Sequence, residues 1–292
     1  MSATATSVPA TAKRSRGWAL AALGMLLVST DSLFIRLSQA STWDMAFLVA
    51  VFSLPIYLAL AWRSKGRSLV DHIRDQKLAI VIIGVLASVS QVAFIAAINK
   101  TAVANVVTIV ASAPIVAALV GWFLFGERAG RRIWTAIGVT LIGIVIVVAG
   151  SLGEPTLDGD LLAILAIVSF GLSINFWRRF SGLSVFVGLA ASALIMLLVA
   201  TPFASPFGLG SRAYLSALAM GVIFNPLGRI AHSSSPRYAP AAEVALFTPV
   251  ETIAATVWAW IAFSESPPGQ TLVGACVITA GLLYGTVFHR RP

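Results

Sequence analysis

The chain has 292 residues, of which 58% are hydrophobic and 11% are charged, and its formal net charge is +9. Soluble domains are nearer half apolar and a quarter charged, and a single soluble core of this length cannot bury so much apolar surface. The one cysteine, Cys276, excludes an internal disulfide and a cysteine-based metal site. The basic residues lie in short clusters between apolar runs, which is typical of membrane topology signals, so no nucleic-acid partner is expected.

The N-terminal residues 1–17, "MSATATSVPATAKRSRG", are small, polar and basic, which predicts a disordered tail. The three basic residues of this tail and the apolar run behind it also resemble a signal peptide, with "SQA" at 38–40 as a cleavage site. Cleavage there would remove an apolar span that the internal repeat described below requires. We therefore favour a retained first span.

Apolar runs of about 20 residues, the length that crosses about 30 Å of hydrocarbon, recur along the whole chain. They predict an all-α polytopic membrane protein of ten transmembrane helices. The spans are 18–38, 44–62, 78–98, 102–125, 132–150, 160–179, 183–201, 212–231, 240–263 and 270–288. The longest connection, Arg63–Lys77, carries five basic residues and predicts a short surface helix.

Positive charge is distributed unevenly between the two sides of these spans. Of the 20 lysines and arginines, all but Arg36, Lys100 and Arg212 fall in segments on one side. Lys and Arg are retained on the cytoplasmic side of a membrane, so both termini are predicted to be cytoplasmic. The expected location is the inner (plasma) membrane of a bacterium.

The stretch "GWFLFGERAG" at 121–130 has a counterpart near the other end of the chain, "AWIAFSESPP" at 259–268. A shift of 138 residues places Glu127 on Glu265, and it also aligns Trp122 with Trp260, Phe125 with Phe263 and Gly143 with Gly281. Arginines follow the first glutamate but not the second. Two halves of five spans each would enter the membrane in opposite directions, which explains this difference in charge.

The repeat therefore predicts two inverted five-helix units, at 18–150 and 160–288, joined by a periplasmic linker at 151–159. A short basic tail at 289–292 ends the chain. Inverted-topology repeats are a plan of secondary transporters, which bind substrate near the membrane midplane at the repeat interface.

Two segments resemble the signature region of the drug/metabolite transporter superfamily, in its EamA-like group. They are "AINKTAVANVVTIVASAPIVAALVGWFLFGER", Ala97–Arg128, and "APAAEVALFTPVETIAATVWAWIAFSES", Ala239–Ser266. The second departs from the pattern by having Ser264 at the place of Gly126, and its Pro249 lies three residues earlier in register than Pro114.

The resemblance covers roughly residues 18–288 and implies a ten-helix transporter with a central cavity. It implies that spans three, four, eight and nine line this cavity and that spans five and ten act as scaffold. Within the superfamily the chain is similar to bacterial exporters of amino acids, the aromatic ones included.

Polar groups inside a membrane are costly, so each one is a functional candidate with a structural rival. Glu251 and Asp31 are candidate protonation sites, and Glu251 is also a candidate to meet a substrate ammonium. A buried partner role is the alternative for Glu251, and pairing elsewhere in the bundle is the alternative for Asp31. Glu243 and its repeat mate Asn105 suit either an interface lining or a helix cap.

Gln91 and Phe94, one turn apart in span three, could offer an amide and a ring to a cavity, with core packing as the alternative. Asn225, directly before Pro226, is a candidate ligand or hinge because a residue before proline is biased away from helix. Pro114, Pro226 and Pro249 are candidate hinges. Aromatic side chains on the candidate spans could line a wide apolar cavity or only pack helices; they are Phe94, Trp122, Phe170, Phe224, Phe247 and Trp258.

The sequence contains no GxxxxGK[ST], HExxH or other catalytic pattern, so neither an enzyme nor a cofactor is expected. Three functions remain: an exporter of small metabolites, above all amino acids; an exporter of cationic drugs; or a membrane enzyme or receptor. The drive could be the substrate's own gradient or proton exchange. The expected partners are a small-molecule substrate and the lipid bilayer, with the chain as a monomer or homodimer.

Overall fold

The computed structural model describes residues 10–101, 106, 109–149, 156–263 and 269–286, and within these ranges the chain forms helices and no strands. The N-terminal tail to residue 9, Asn105, most of the linker, Glu265 and the C-terminal tail lie outside the described residues. The helices are α1 (Ala10–Val28), α2 (Thr30–Ser38), α3 (Thr42–Lys65), α4 (Leu69–Asp75), α5 (Lys77–Lys100), α6 (Ala113–Phe125), α7 (Arg131–Ala149), α8 (Leu157–Arg179), α9 (Val185–Ala200), α10 (Ser211–Leu218), α11 (Asn225–Ser234), α12 (Ala241–Ala245), α13 (Thr248–Phe263) and α14 (Gly269–Thr286).

Helices occupy the positions of the ten predicted spans. By length and composition, six helical segments of the described chain can cross a membrane: Lys13–Ser38, Thr42–Asp75, Lys77–Lys100, Leu157–Arg179, Ser211–Arg237 and Ala241–Ala262. Three shorter apolar helices accompany them, Ala113–Phe125, Val185–Ala200 and Leu272–Thr286. The helix predicted between Arg63 and Lys77 is confirmed as α4.

Span one was predicted as a single helix, but it is interrupted at Ser29, between α1 and α2. The hydroxyls of Ser29 and Thr30 donate to the carbonyl oxygens of Leu26 and Leu27, at 2.6 and 2.8 Å. Short hydroxyl side chains compete in this way for backbone groups and favour a break in the helix. The interruption makes Asp31 a first-turn residue of α2.

Span nine is divided in the same way into α12 and α13 by a turn at 246–247. In span four a turn at 111–112 precedes α6. Pro114 and Pro249 each occupy the second position of the helix after the turn, where a missing N–H costs no hydrogen bond. The helices α6 and α13 end at the aligned residues Phe125 and Phe263, but α6 has 13 residues and α13 has 16. The longer helix therefore begins three residues earlier in register, and so does its proline.

Span eight changes its helical form in the middle. A π-helix at Ala219–Phe224 separates α10 from α11, which begins at Asn225 and has Pro226 in its first turn. π-helical turns are rare and mark sites of irregular backbone. Asn225 itself is helical, with φ −66° and ψ −50°, so the irregular backbone of this span lies in the π-helix before Asn225 and not at the residue before the proline. A hinge role for Pro226 stays a prediction.

The bundle is built from helix pairs that join the two halves of the chain. The most extensive packing is between α7 and α14, followed by α5 with α8, α3 with α9, α5 with α9, and α1 with α11. Glycines allow the closest approaches. A Cβ on Gly281 would lie 2.7 Å from the Thr140 hydroxyl, and one on Gly143 would lie 2.8 Å from the backbone nitrogen of Ile278. Gly281 and Gly285 thus serve contacts within the bundle.

Glu127, the glutamate of the first repeated motif, forms an ion pair that connects helices at one end of the bundle. The Arg178 Nε donates to both carboxylate oxygens of Glu127, at 2.7 and 3.1 Å. The same guanidinium donates to the carbonyl oxygen of Ala239 at 3.1 Å. These contacts join the end of α6, the end of α8 and the segment before α12.

We expect Gly143→Ala to lower the melting temperature of the protein, because its Cβ would overlap backbone atoms of α14 that cannot move independently. Overpacking of this kind costs roughly 1–3 kcal/mol. The matched control is Gly138→Ala on the same helix, where a Cβ meets no atom within 4 Å and alanine favours helix. Thermal melts in detergent should show a lower midpoint for Gly143→Ala alone, and equal midpoints for the two variants would contradict this packing.

Candidate functional site

A cavity of about 70 Å³ lies between α1, α2, α5, α8, α9, α11 and α13. Its polar lining includes Asp31, Gln91, Arg229, His232 and Glu251. Spans three, four, eight and nine contribute to it, as the family resemblance implies. Spans one, six and seven contribute as well, through α1, α2, α8 and α9, which the resemblance did not imply.

A buried polar network closes one side of this cavity. The Asn225 amide donates to Asp31 Oδ2 at 3.3 Å, and the Arg229 Nε donates to the Asn225 side-chain oxygen. A terminal nitrogen of Arg229 lies 3.9 Å from the same Asp31 oxygen. Asp31 thus pairs with another part of the bundle, as the sequence suggested, and Asn225 fixes the geometry of the pair.

Glu251 lies in the first turn of α13, directly after the turn that divides span nine, and its side chain is buried. It lies within electrostatic range of both Asp31 and Arg229. A helix N-terminus favours negative charge, so the position suits the anionic part of a ligand, or an ionised Glu251 once a cation lies beside it. The cavity therefore brings together the two candidate protonation residues of the sequence.

The remaining lining supplies hydrogen-bonding groups beside apolar surface. Gln91 and Phe94 both line the cavity, and the Phe170 ring stacks on His232 with centroids 5.2 Å apart. Within the described part of the chain, no hydrogen-bond partner reaches Asp31 Oδ1, Gln91 Nε2 or His232 Nε2. Buried polar atoms are usually satisfied, so these three atoms are available to a ligand or to water.

Other candidates of the sequence lie away from the cavity. Phe224 packs against Phe34 with centroids 5.3 Å apart, and Phe247 belongs to an apolar cluster with α1 and α12. Trp122 is exposed on the outer face of α6, and Trp258 donates to the Ser29 hydroxyl at 2.9 Å. The contacts thus place Phe224, Phe247 and Trp258 in helix packing, whereas Trp122 faces away from the bundle.

Two further residues make contacts that the sequence did not indicate. Glu243 accepts a hydrogen bond from the Trp18 indole at 3.0 Å, outside the cavity. Trp177 is buried, lines the cavity and lies over Gly188. The Trp177 ring fits there because Gly188 has no side chain. The position of Trp177 in the sequence does not indicate this contact.

Arg229 and His232 were missed as site residues. The sequence placed Arg229 among the basic residues of the inner surface, whereas the structure pairs it with Asp31 inside the bundle. The repeat itself carried the missing signal. The 138-residue shift that aligns Glu127 with Glu265 also maps Gln91 onto Arg229 and Phe94 onto His232, and all four line the cavity.

These features define a helical membrane protein with a charged internal cavity. The EamA-like transporter family model matches residues 15–149 and again residues 157–286, so the chain belongs to this family. It is a multi-pass membrane transporter.

An uncharacterized transporter of Archaeoglobus fulgidus is 24% identical over 273 residues, covering 91% of this chain and 95% of that protein. A solved crystal structure superposes with a TM-score of 0.79 at 20% identity, covering 95% of this chain and 99% of the other. The latter supports the fold alone.

We expect Arg229→Met to destabilise the protein, because it leaves Asp31 buried without its cation. Breaking one partner of a buried pair costs about 3–5 kcal/mol, whereas replacing both by apolar groups is often neutral. The double variant Asp31→Leu/Arg229→Met should therefore melt closer to the wild type than Arg229→Met does. Thermal melts of the two single variants and the double variant in detergent measure this, and additive effects would show that the two charges are independent.

Proposed function

We propose that the protein is a secondary transporter that exports small metabolites, chiefly amino acids and among them aromatic and other apolar ones, by alternating access around this cavity. The observation that carries the proposal is the charge arrangement of the lining. Two carboxyl groups and one guanidinium face the same small space, beside aromatic rings.

An amino acid carries an ammonium and a carboxylate a few bonds apart. Asp31 and Glu251 can attract the ammonium, while Arg229 can bind the carboxylate with its fork of N–H donors. Phe94 and Phe170 offer apolar surface to the side chain. The mixed lining favours such a zwitterion over a sugar phosphate, which would need several cations.

An inverted repeat is supported by how the helices pair. If the two halves are equivalent, span one corresponds to span six, span two to span seven, and so on to span five and span ten. Under this correspondence the pair α1–α11 becomes the pair α8–α5, and the pairs α3–α9 and α7–α14 are unchanged. The pairs Gln91/Arg229 and Phe94/His232 line the cavity from both halves. Such a pattern is what two units related by a two-fold axis would give, with substrate bound between them.

Alternating access follows from the size of the cavity. Pockets for small molecules usually measure about 300–1,000 Å³, far more than the 70 Å³ found here. An amino acid can enter only if helices move apart. The breaks in spans one, four and nine adjoin lining residues, and the π-helix of span eight precedes the lining residue Arg229. We assign Pro114, Pro226 and Pro249 to hinges at these places.

A cationic drug is the second candidate substrate. Two carboxyl groups face a single guanidinium, and the Phe170–His232 stack offers aromatic faces to a cation. The transport experiment described below separates this ligand from an amino acid.

Both termini are proposed to be cytoplasmic, which cysteine labelling can test after the exposed Cys276 is replaced by Ser. We expect Phe207→Cys, between α9 and α10, to react with a membrane-impermeant maleimide on intact cells. Ser68→Cys, before α4, should react only after permeabilisation. Both side chains are exposed in the structure, so access and not burial decides the result. The reverse pattern would overturn the orientation.

Transport is tested with purified protein in liposomes and radiolabelled phenylalanine. We expect uptake that an excess of unlabelled amino acids blocks and that a sugar phosphate does not. Gln91→Leu should reduce apparent affinity by at least about ten-fold, because a hydrogen bond to a charged ligand contributes roughly 1.5–3 kcal/mol. Leu198→Ala, an exposed position on α9, is the matched control and should keep wild-type uptake.

Absence of phenylalanine uptake together with uptake of a cationic dye would move the assignment to drug export. Block of phenylalanine uptake by the sugar phosphate would contradict the selectivity assigned to the cavity.

A further inference from the structure

We propose that the cavity binds ligands at constant net charge, so that a cationic ligand displaces one proton from Glu251 whereas a zwitterionic ligand displaces none. This inference rests on the proposed function and adds to it the residue that couples transport to protons. It starts from the inventory of charges in the cavity.

Four lining residues can ionise, and two of them already neutralise each other. Asp31 and Arg229 lie 3.9 Å apart and share Asn225 between them. His232 lies one turn beyond Arg229, and its ring stacks on Phe170. A protonated imidazole would place a second cation next to Arg229 inside the bundle, so His232 is neutral.

Tyr57 of α3 is the other titratable group near this network, within electrostatic range of Arg229 and Asp31. It is buried, and its phenol has no hydrogen-bond partner among the described residues. An ionised phenol there would be a further unpaired anion, so Tyr57 keeps its proton.

Glu251 is the remaining ionisable group. Within the described ranges no Lys, Arg or His lies within ion-pair distance of its carboxyl group, and the nearby like charge of Asp31 opposes the nearby opposite charge of Arg229. Burying a charge without a partner costs several kcal/mol, and a carboxyl group avoids this cost by keeping its proton. The empty cavity then holds Asp31 as an anion, Arg229 as a cation and Glu251 as a neutral acid.

A zwitterion leaves this balance unchanged. Its carboxylate can bind free N–H donors of Arg229, and its ammonium can donate to the unpartnered Asp31 Oδ1. The sum of charges stays at zero, so Glu251 has no cause to ionise.

A cation disturbs the balance by one positive charge. An ammonium next to Glu251 stabilises the carboxylate form, so the O–H bond of Glu251 breaks, its proton leaves to water, and the ligand cation takes its place. When the cation leaves on the other side of the membrane, Glu251 takes up a proton there. Transport of a cation would thus exchange one proton, while a zwitterion would cross without exchange.

The test compares two ligands that differ only in the carboxylate, phenylalanine and phenylethylamine, bound to the purified full-length protein in detergent. Calorimetry at neutral pH in two buffers of different ionisation enthalpy counts the protons released on binding. We expect about one proton per phenylethylamine and about none per phenylalanine.

Two variants assign the proton to a residue. Glu251→Gln should abolish proton release with phenylethylamine and make its affinity independent of pH. Glu243→Gln, which changes the buried glutamate of α12 outside the cavity, is the matched control and should keep the release.

Equal proton release with both ligands would overturn the inference even if phenylalanine is transported. Release that persists in Glu251→Gln would move the proton to another group and also overturn it. Binding of neither ligand would overturn the proposed function, and this inference with it. The comparison of the two ligands on wild-type protein stands even if Glu251→Gln does not fold.

Discussion

The free-energy cost of burying charge in an apolar bundle determines how the polar residues at the centre of this protein are arranged. Asp31 and Arg229 come from opposite halves of the chain, and neither could remain buried alone. Their pairing fixes α2 against α11, and Asn225 holds the pair from the first turn of α11. The pair stabilises little by itself, but it makes the relative position of these two helices specific, and the cavity is built around it.

Broken helices bring these charges to one place. Asp31, Glu251 and Arg229 each lie within the first five residues of a helix that begins inside the bundle. A break inside a membrane frees backbone groups that the protein must satisfy itself. At Ser29 and Ser112 the hydroxyls donate to the carbonyls three residues earlier, at 2.6 Å in both cases, which meets part of that need.

The two halves of the chain, each matched by the family model, give different groups to the lining of the cavity. Where the first half offers an amide and a phenyl ring, at Gln91 and Phe94, the second offers a guanidinium and an imidazole, at Arg229 and His232. The lining is therefore asymmetric. A ligand with unlike ends, such as an amino acid, would bind in one orientation.

By itself, the sequence determined the features that depend on local composition and period. Hydropathy placed the helices, Pro114 and Pro249 marked spans four and nine as sites of irregular backbone, and the repeated "FGER" and "FSES" stretches indicated the family. The sequence also selected Asp31, Gln91 and Glu251, since polar residues in apolar spans are few, and Phe94, which lies one turn from Gln91.

Only the tertiary structure decided which of the candidates meet. Phe224 and Phe247 have the same composition signal as Phe94, yet they pack against other helices. Arg229 was read as a surface charge, because a basic residue near the end of a span usually lies at the membrane surface. Its partner, Asp31, is almost two hundred residues away in the chain. Such a contact depends on how the helices pack against each other, and no local sequence pattern indicates it.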